Sequence, residues 1–241
     1  MNVNQKWLEA TSENLAGQVV PGFKKQEVMF GSFQAGRTAP VAGADGQLKN
    51  GYMNYPITAS GTNFTQGPLR RTEVTTDVAI DGKGFFSVEI PGKGEFYTRD
   101  GEFHVDPEGK LVSKEGYPIL GEDGPLMLNP LSQENLSITA DGSVRQGTTL
   151  IGKLKMVKFP AIDGLESVTG GLYRATQASG IPAPADDFRL RQGFLESSNV
   201  SVVKEMANMI LAMRNYESNQ KVLHTQDEQI GKTIQTLGES A

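Results

Sequence analysis

The chain has two histidines, His104 and His224, and no cysteine. One lies in a strand-like run and the other in a long helical pattern, so neither a catalytic histidine pair nor a thiolate metal centre has a local scaffold. Gly147-Thr148-Thr149-Leu150-Ile151-Gly152-Lys153 has the spacing of a phosphate-binding loop. Leu154 stands where a Ser or Thr would hold magnesium, however, and a strand-like run follows where a helix is needed. Asp81-Gly82, Asp100-Gly101, Glu108-Gly109, Glu115-Gly116, Asp123-Gly124 and Asp141-Gly142 put acids beside flexible glycines. No run places oxygen ligands at alternating positions ahead of a closing Glu, as a calcium loop requires. Asp81, Asp100 and Asp106 are candidates for the paired carboxylates of glycoside hydrolysis, but the turns around them favour solvated turn residues. The expectation is of no catalytic residue, no cofactor and no metal.

Composition narrows the partners. Lys+Arg 23 against Asp+Glu 28 gives a net charge of -5, without the basic excess that nucleic acid binding demands. Trp7, Glu9 and Glu13 interrupt the stretch where a cleavable signal peptide would need a continuous apolar run. No window approaches the roughly 18 apolar residues of a membrane span, so an integral membrane protein is not expected. Lys24-Lys25 and Arg70-Arg71 read as solvated charge first and inter-subunit pairing second.

The elements that would position these residues follow from periodicity. Val202, Met206, Met209, Met213, Tyr216, Gln220, Leu223, Asp227, Ile230, Ile234 and Leu237 follow an alternating four-three spacing, which predicts one helix from about Val200 to Leu237 with a heptad seam. Asn199 or the serines before it can cap its start. Val3, Trp7, Leu8 and Leu15 form a sparser stripe that stops at Gly17 and Pro21-Gly22, giving a short first helix. Residues 70–192 show short apolar runs between the Asp-Gly and Glu-Gly pairs, with Phe86, Val88 and Ile90 alternating with Ser87 and Glu89. That texture predicts an antiparallel β domain. The reading is α+β: residues 1–30 as a first helix and turn, 31–69 as an extended connector, 70–192 as the β domain and 195–241 as the long helix, with the two terminal helices paired in a coiled-coil-like domain.

Three motifs carry a resemblance. Asn14-Leu15-Ala16 followed by Pro21-Gly22-Phe23-Lys24-Lys25 resembles the signature after the first helix of flagellar rod and hook proteins, with Gly17 where that family has a second Asn. Asp77 to Phe86, with Tyr97-Thr98-Arg99-Asp100-Gly101, looks like the family's central β module. Leu195-Glu196-Ser197-Ser198-Asn199-Val200, continuing to Asn219, resembles its C-terminal segment. Together they span the chain in family order; Gly116 to Glu122 and Ile138 to Gly142 resemble the proximal rod type, the C-terminal helix and Arg191-Gln192-Gly193 resemble the distal type, and the lean is weakly proximal. Such relatives usually start about ten residues earlier, so the first helix is shortened or the start codon misplaced.

The resemblance implies a structural, self-assembling rod subunit of the flagellar basal body. It would leave the cell unfolded through the flagellar export apparatus, without a cleaved signal, and assemble in the periplasm with copies of itself and other axial subunits. Val202, Met206, Met209, Met213, Tyr216, Leu223, Ile230, Ile234 and Leu237 are the expected assembly residues. Asn14, Leu15, Ala16, Gly22, Phe23, Lys24 and Asn199 are the signature residues. The rival readings are a β-domain carbohydrate-binding or hydrolytic protein with a helical oligomerisation tail, and a cytoplasmic coiled-coil adaptor.

Overall fold

The structure, a computed structural model, describes residues 2–37, 41–42, 48–49, 52–130, 132 and 134–238. Contacts divide the chain into two units: residues 1–12, 26–61 and 206–241 form one, and residues 13–25 and 62–205 the other. Helix α1 spans Asn2–Gly17 and helix α2 spans Val202–Gly238. Between them the chain is almost entirely β.

In the first unit, β1 (Gln26–Arg37) and β2 (Tyr52–Thr62) form a two-stranded sheet. Both strands fall largely in the stretch expected to be a connector. The second unit carries β3 (Leu69–Arg71), β4 (Val78–Gly82), β5 (Phe85–Ile90), β6 (Gly94–Thr98), β7 (Leu136–Ile138), β8 (Ser143–Gln146), β9 (Thr149–Lys153), β10 (Met156–Lys158), β11 (Leu172–Arg174), β12 (Phe188–Gln192) and β13 (Phe194–Glu196). Its main sheet has β11, β6, β5 and β10 as adjacent strands, edged by Glu166–Ser167 and Ala183–Pro184. β7, β8 and β9 make a second sheet, while β4 pairs with β12 and β3 with β13.

Strand alternation explains the core. Along β5, Phe86, Val88 and Ile90 face a large cluster with Val78, Ile80 and Phe103, and Phe85 faces a smaller one with Tyr97, Val157 and Tyr173. β5 was expected to be half-buried; Ser87 is buried as well, and Glu89 alone is exposed. Each of these large side chains contributes roughly 1.5–3 kcal/mol on burial. Five of the six Asp-Gly and Glu-Gly pairs have a glycine with positive φ, as tight turns need. The sixth, Gly101, is set by space: a Cβ there would lie 1.7 Å from the Val78 carbonyl oxygen.

The terminal coiled coil is not formed. Among the described residues α1 and α2 meet through the polar pair Asn14 and Glu205, and no coiled-coil seam between them is seen. On the expected seam Met206 and Met213 are 54% and 48% exposed, while Glu205 and Ala212, off it, are 2% and 1% exposed. Heptad spacing fixes which side chains share a helix face; it does not fix whether a partner for that face lies in the same chain. α1 also has few apolar side chains to offer a seam, since Thr11 turns its hydroxyl back onto the Trp7 carbonyl and Asn14 meets α2 through a polar hydrogen bond to Glu205. The fold is therefore mostly β, with one short N-terminal helix and one long C-terminal helix.

Candidate functional site

Three segments distant in sequence meet at the carboxylate of Glu196. β13 pairs with β3 in the register Leu195↔Arg70 and Glu196↔Leu69, which brings Glu196 beneath the segment that follows α1. The Gly22 N–H donates to the Glu196 carbonyl at 2.7 Å, and Lys24 Nζ donates to its Oε1. Gly67 N–H donates to the same Oε1 at 2.8 Å, and Arg99 Nη1 to Oε2 at 2.9 Å. Lys24, Arg99 and Glu196 are all buried, at 0%, 5% and 1% exposure.

The remaining donors are also used. Lys24 Nζ reaches Thr65 O at 2.8 Å, and Arg99 bonds Gly84 O through Nε and Gly82 O through Nη2, with its guanidinium 5.7 Å over the Phe85 ring. Two cations thus share one anion in a dry site. Burial pushes the Lys24 ammonium below its ordinary range, and the Glu196 carboxylate opposes that shift. An ion cluster of this kind costs desolvation to assemble, and breaking it by removing one partner is costly.

A second station lies beside the first. Asn199 Oδ1 accepts the Lys25 N–H at 2.8 Å, and its Nδ2 donates to Asn63 O at 2.8 Å and Thr65 O at 3.0 Å. Asn199 therefore ties three segments together; its side chain does not cap α2. Glu205, in the first turn of α2, accepts from Asn14 Nδ2 at 3.2 Å and pairs with Lys25 Nζ at 2.9 Å. Gly22 has φ 67, and a Cβ on it would sit 2.3 Å from the Arg99 carbonyl carbon, so the signature turn lies directly on the Arg99–Asp100 backbone.

Several expectations change here. Lys24 is not solvated charge, and Lys25 pairs with a buried acid; Arg70, which is exposed, and Arg71, 71% exposed in its pair with Glu73, fit that reading. Asp100 is 8% exposed, not a solvated turn residue, and burial raises its carboxyl to about 7. Asp81, in β4, pairs with Arg191 at the surface, and Asp106 accepts the Lys110 N–H at 2.6 Å as a turn residue. His104 lies in an exposed two-residue strand and His224 on an exposed part of α2. Gly147 to Lys153 forms the turn into β9 and the strand itself. No group of three or more His, Cys, Asp and Glu residues among the described residues could hold a metal ion.

Of the signature residues, Asn14, Gly22, Phe23, Lys24 and Asn199 converge on the two stations, while Leu15 is half-buried and Ala16 exposed. Of the expected assembly residues, Val202, Met209 and Tyr216 are half-buried and Met206, Met213 and Ile230 exposed. The side chains of Leu223, Ile234 and Leu237 lie outside the described residues. Glu196, Arg99, Gly67 and Glu205 are the site residues that sequence reasoning passed over. Their signal was a charged residue set against buried apolar neighbours inside a motif, as in Phe23-Lys24 and Leu195-Glu196.

The same segments match known proteins. Residues 79–146 match the flagellar hook protein FlgE/F/G D1 domain, and residues 191–236 match the flagellar basal body rod FlgEFG protein C-terminal domain. The chain is 35% identical to the flagellar basal-body rod protein FlgG of Buchnera aphidicola subsp. Acyrthosiphon pisum, over 98% of this chain and 95% of that protein. It belongs to the flagellar basal-body rod protein family. The rod protein FlgF of Caulobacter vibrioides is 34% identical, over 96% of this chain and 91% of its own length, and FlgF of Escherichia coli 32%, over 95% and 92%. FlgG and FlgF relatives match at nearly the same identity, so the lean towards the proximal type is not resolved. The chain is a structural subunit of the flagellar rod, located in the basal body, and the Lys24–Glu196–Arg99 cluster lies where its three rod-protein motifs meet. No helix among the described residues is long and apolar enough to cross a membrane.

Proposed function

We propose that this rod subunit polymerises with copies of itself and with other axial subunits, which cover the apolar positions that α2 leaves in water. The observation that carries this is the exposure of Met206, Ile210, Leu211, Met213, Val222 and Ile230, all between 48% and 58%, along one 37-residue helix. A helix of that length with so little buried surface is stable in water only when a neighbour packs on it. Val202, Met206, Met209, Met213, Tyr216 and Ile230 are the described assembly positions in this reading, continued by Leu223, Ile234 and Leu237. The junction of Lys24, Arg99, Glu196 and Asn199 serves as scaffold, fixing the segments next to both helices.

The finer reading is that the subunit performs no catalysis, binds no nucleic acid, passes unfolded through the flagellar export apparatus, and assembles in the periplasm. The net charge of -5 and the full use of the junction's polar groups within the fold support it. The test is Met213→Asp against Lys221→Asp. A carboxylate buried in a subunit contact costs several kcal/mol, while one at a solvated position stays within about half a kcal/mol. Rods should be lost with the first change and kept with the second, with the melt of the β unit unchanged in both. Intact rods carrying Met213→Asp contradict the reading.

A further inference from the structure

Two features at opposite ends of the β4–β12 ladder have no role in the fold described so far. At one end is the turn after β3. The N–H groups of Thr72 and Glu73 both donate to Gly193 O, at 2.8 and 3.2 Å, Asp77 N–H donates to Val74 O at 3.2 Å, and Gln192 Nε2 holds Thr75 O at 2.6 Å. The turn is held firmly from below, yet Val74 at its tip is 48% exposed. Glu73 has φ 64 and is the one non-glycine residue with positive φ among the described residues. Such a conformation is uncommon for a residue with a Cβ and marks sites where strain serves a function. Its carboxylate makes only an exposed pair with Arg71 at 3.4 Å, which holds it weakly.

At the other end is a cavity of about 690 Å³. Phe64, Phe85, Phe159, Pro160 and Ile162 give it apolar walls, and Lys83 also lines it. Most of the polar groups around it are already taken. Arg99 is consumed by Gly82, Gly84 and Glu196, the Gln66 amide by Ile80 O and Gly82 N–H, and Lys158 by Asp186. Asp187, also in the lining, accepts the Lys83 N–H with its backbone carbonyl. Lys83 makes no side-chain ion pair among the described residues. With the other polar groups spent, Lys83 and the Asp187 carboxylate are the charges the cavity has to offer, and little else in it holds a polar small molecule. It suits an apolar side chain with a carboxylate beside it.

We propose that the Glu73–Val74 turn of one copy of this chain docks in the Phe64–Phe85–Phe159 cavity of the next copy, with Val74 against the rings and Glu73 on Lys83. β4 and β12 pair from Val78↔Gln192, beside the turn, to Gly82↔Phe188, beside the cavity. The ladder ends beside the two sites are thus about 14 Å apart at roughly 3.4 Å per residue. A contact from one end of a ladder to the other end of the next is heterologous; it does not close on itself and extends into a helical filament. This inference rests on the polymerisation proposed above.

The test uses the absence of native cysteine. Val74→Cys and Ile162→Cys are introduced together in the full chain and the basal bodies are mildly oxidised. A bridge needs Cα atoms within about 7 Å, so the two thiols in one chain do not reach each other. The expected result is a ladder of dimers, trimers and higher species that reductant collapses, with monomer alone from each single variant. Rods that contain the double variant and yield only monomer overturn the contact. So does dimerisation of Val74→Cys alone, or an adduct to a different axial subunit. Absence of the unaltered chain from rods instead overturns the polymerisation reading. If the cysteine pair blocks assembly, the charge exchange decides. Glu73→Lys and Lys83→Glu should each lower rod yield several-fold and together restore it; folded single variants without restoration overturn the contact.

Discussion

Lys24 and Glu196, 172 positions apart, form an ion pair from which water is fully excluded. Glu196 also neutralises Arg99, so the two partners are not equivalent. Glu196→Gln strands two buried cations and should cost about 3–5 kcal/mol, whereas Lys24→Met leaves Glu196 compensated by Arg99 and should cost clearly less. Denaturant unfolding of the full chain gives the order. Equal losses, or a larger one for Lys24→Met, would show that Arg99 does not balance the carboxylate.

Asp100 makes stability depend on pH. Burial raises its carboxyl from 3.8 to about 7, the backbone N–H of Glu102 opposing, the carboxylates of Glu102 and Glu115 adding to the rise and Lys114 reducing it. An acid with a raised folded pKa holds its proton more tightly when folded. Its contribution is therefore greatest below the unfolded value, falls as pH rises towards about 7, and is level above. The span corresponds to roughly 4 kcal/mol. Asp100→Asn keeps an acceptor for the Glu102 N–H, 2.9 Å from Asp100 Oδ1, and removes the titration. The stability difference, variant minus wild type, should grow in the variant's favour from about pH 4 to pH 7. A difference that is flat with pH would refute this.

Gly22 and Gly92 separate two reasons for a glycine. Both have positive φ, 67 and 76, but a Cβ on Gly92 meets nothing within 4 Å while one on Gly22 strikes the Arg99 backbone. Gly92→Ala should cost only the conformational part, about 1 kcal/mol. Gly22→Ala should cost at least about 2 kcal/mol more, because backbone gives way less readily than side chain. It should also expose residues 13–25 to trypsin after Lys24 and Lys25. Matched melts for the two variants would mean that the signature turn does not press on the Arg99 segment.

The long helix, the turn glycines and the antiparallel character of residues 70–192 were legible because each rests on local spacing. The junction was not. Lys24 looks solvated in sequence since nothing nearby shows that Glu196 and Arg99, 172 and 97 positions from their partners, will close over it. Asp100 failed for a related reason: an Asp-Gly pair marks a turn, and only tertiary packing of Gly22 and Gly101 decides that this turn is buried. The face of α2 that turns inward was missed too, since Glu205 is buried through Asn14 and Lys25, polar contacts that a hydrophobic period cannot register.

Glu73 offers a case where stability and assembly should move in opposite directions. Its φ of 64 is one that glycine adopts freely and a residue with a Cβ does not, and its side chain is held only by the exposed Arg71 pair. Exposed pairs of that kind are worth between nothing and about 1 kcal/mol, and relief of left-handed strain offsets the greater flexibility that glycine gives the unfolded chain. Glu73→Gly should therefore leave the isolated subunit as stable as wild type or up to about 1 kcal/mol more stable. If the carboxylate meets Lys83 of the next copy, the same variant should assemble less well, since the turn keeps its shape and loses its charge. Glu73→Gln separates the terms, keeping the strain while removing the charge. Thermal melts of the three proteins and their incorporation into rods are the measurements. A Glu73→Gly subunit that is markedly destabilised would show that the strain is absent, and one that enters rods as efficiently as wild type would show that the carboxylate has no partner across a contact.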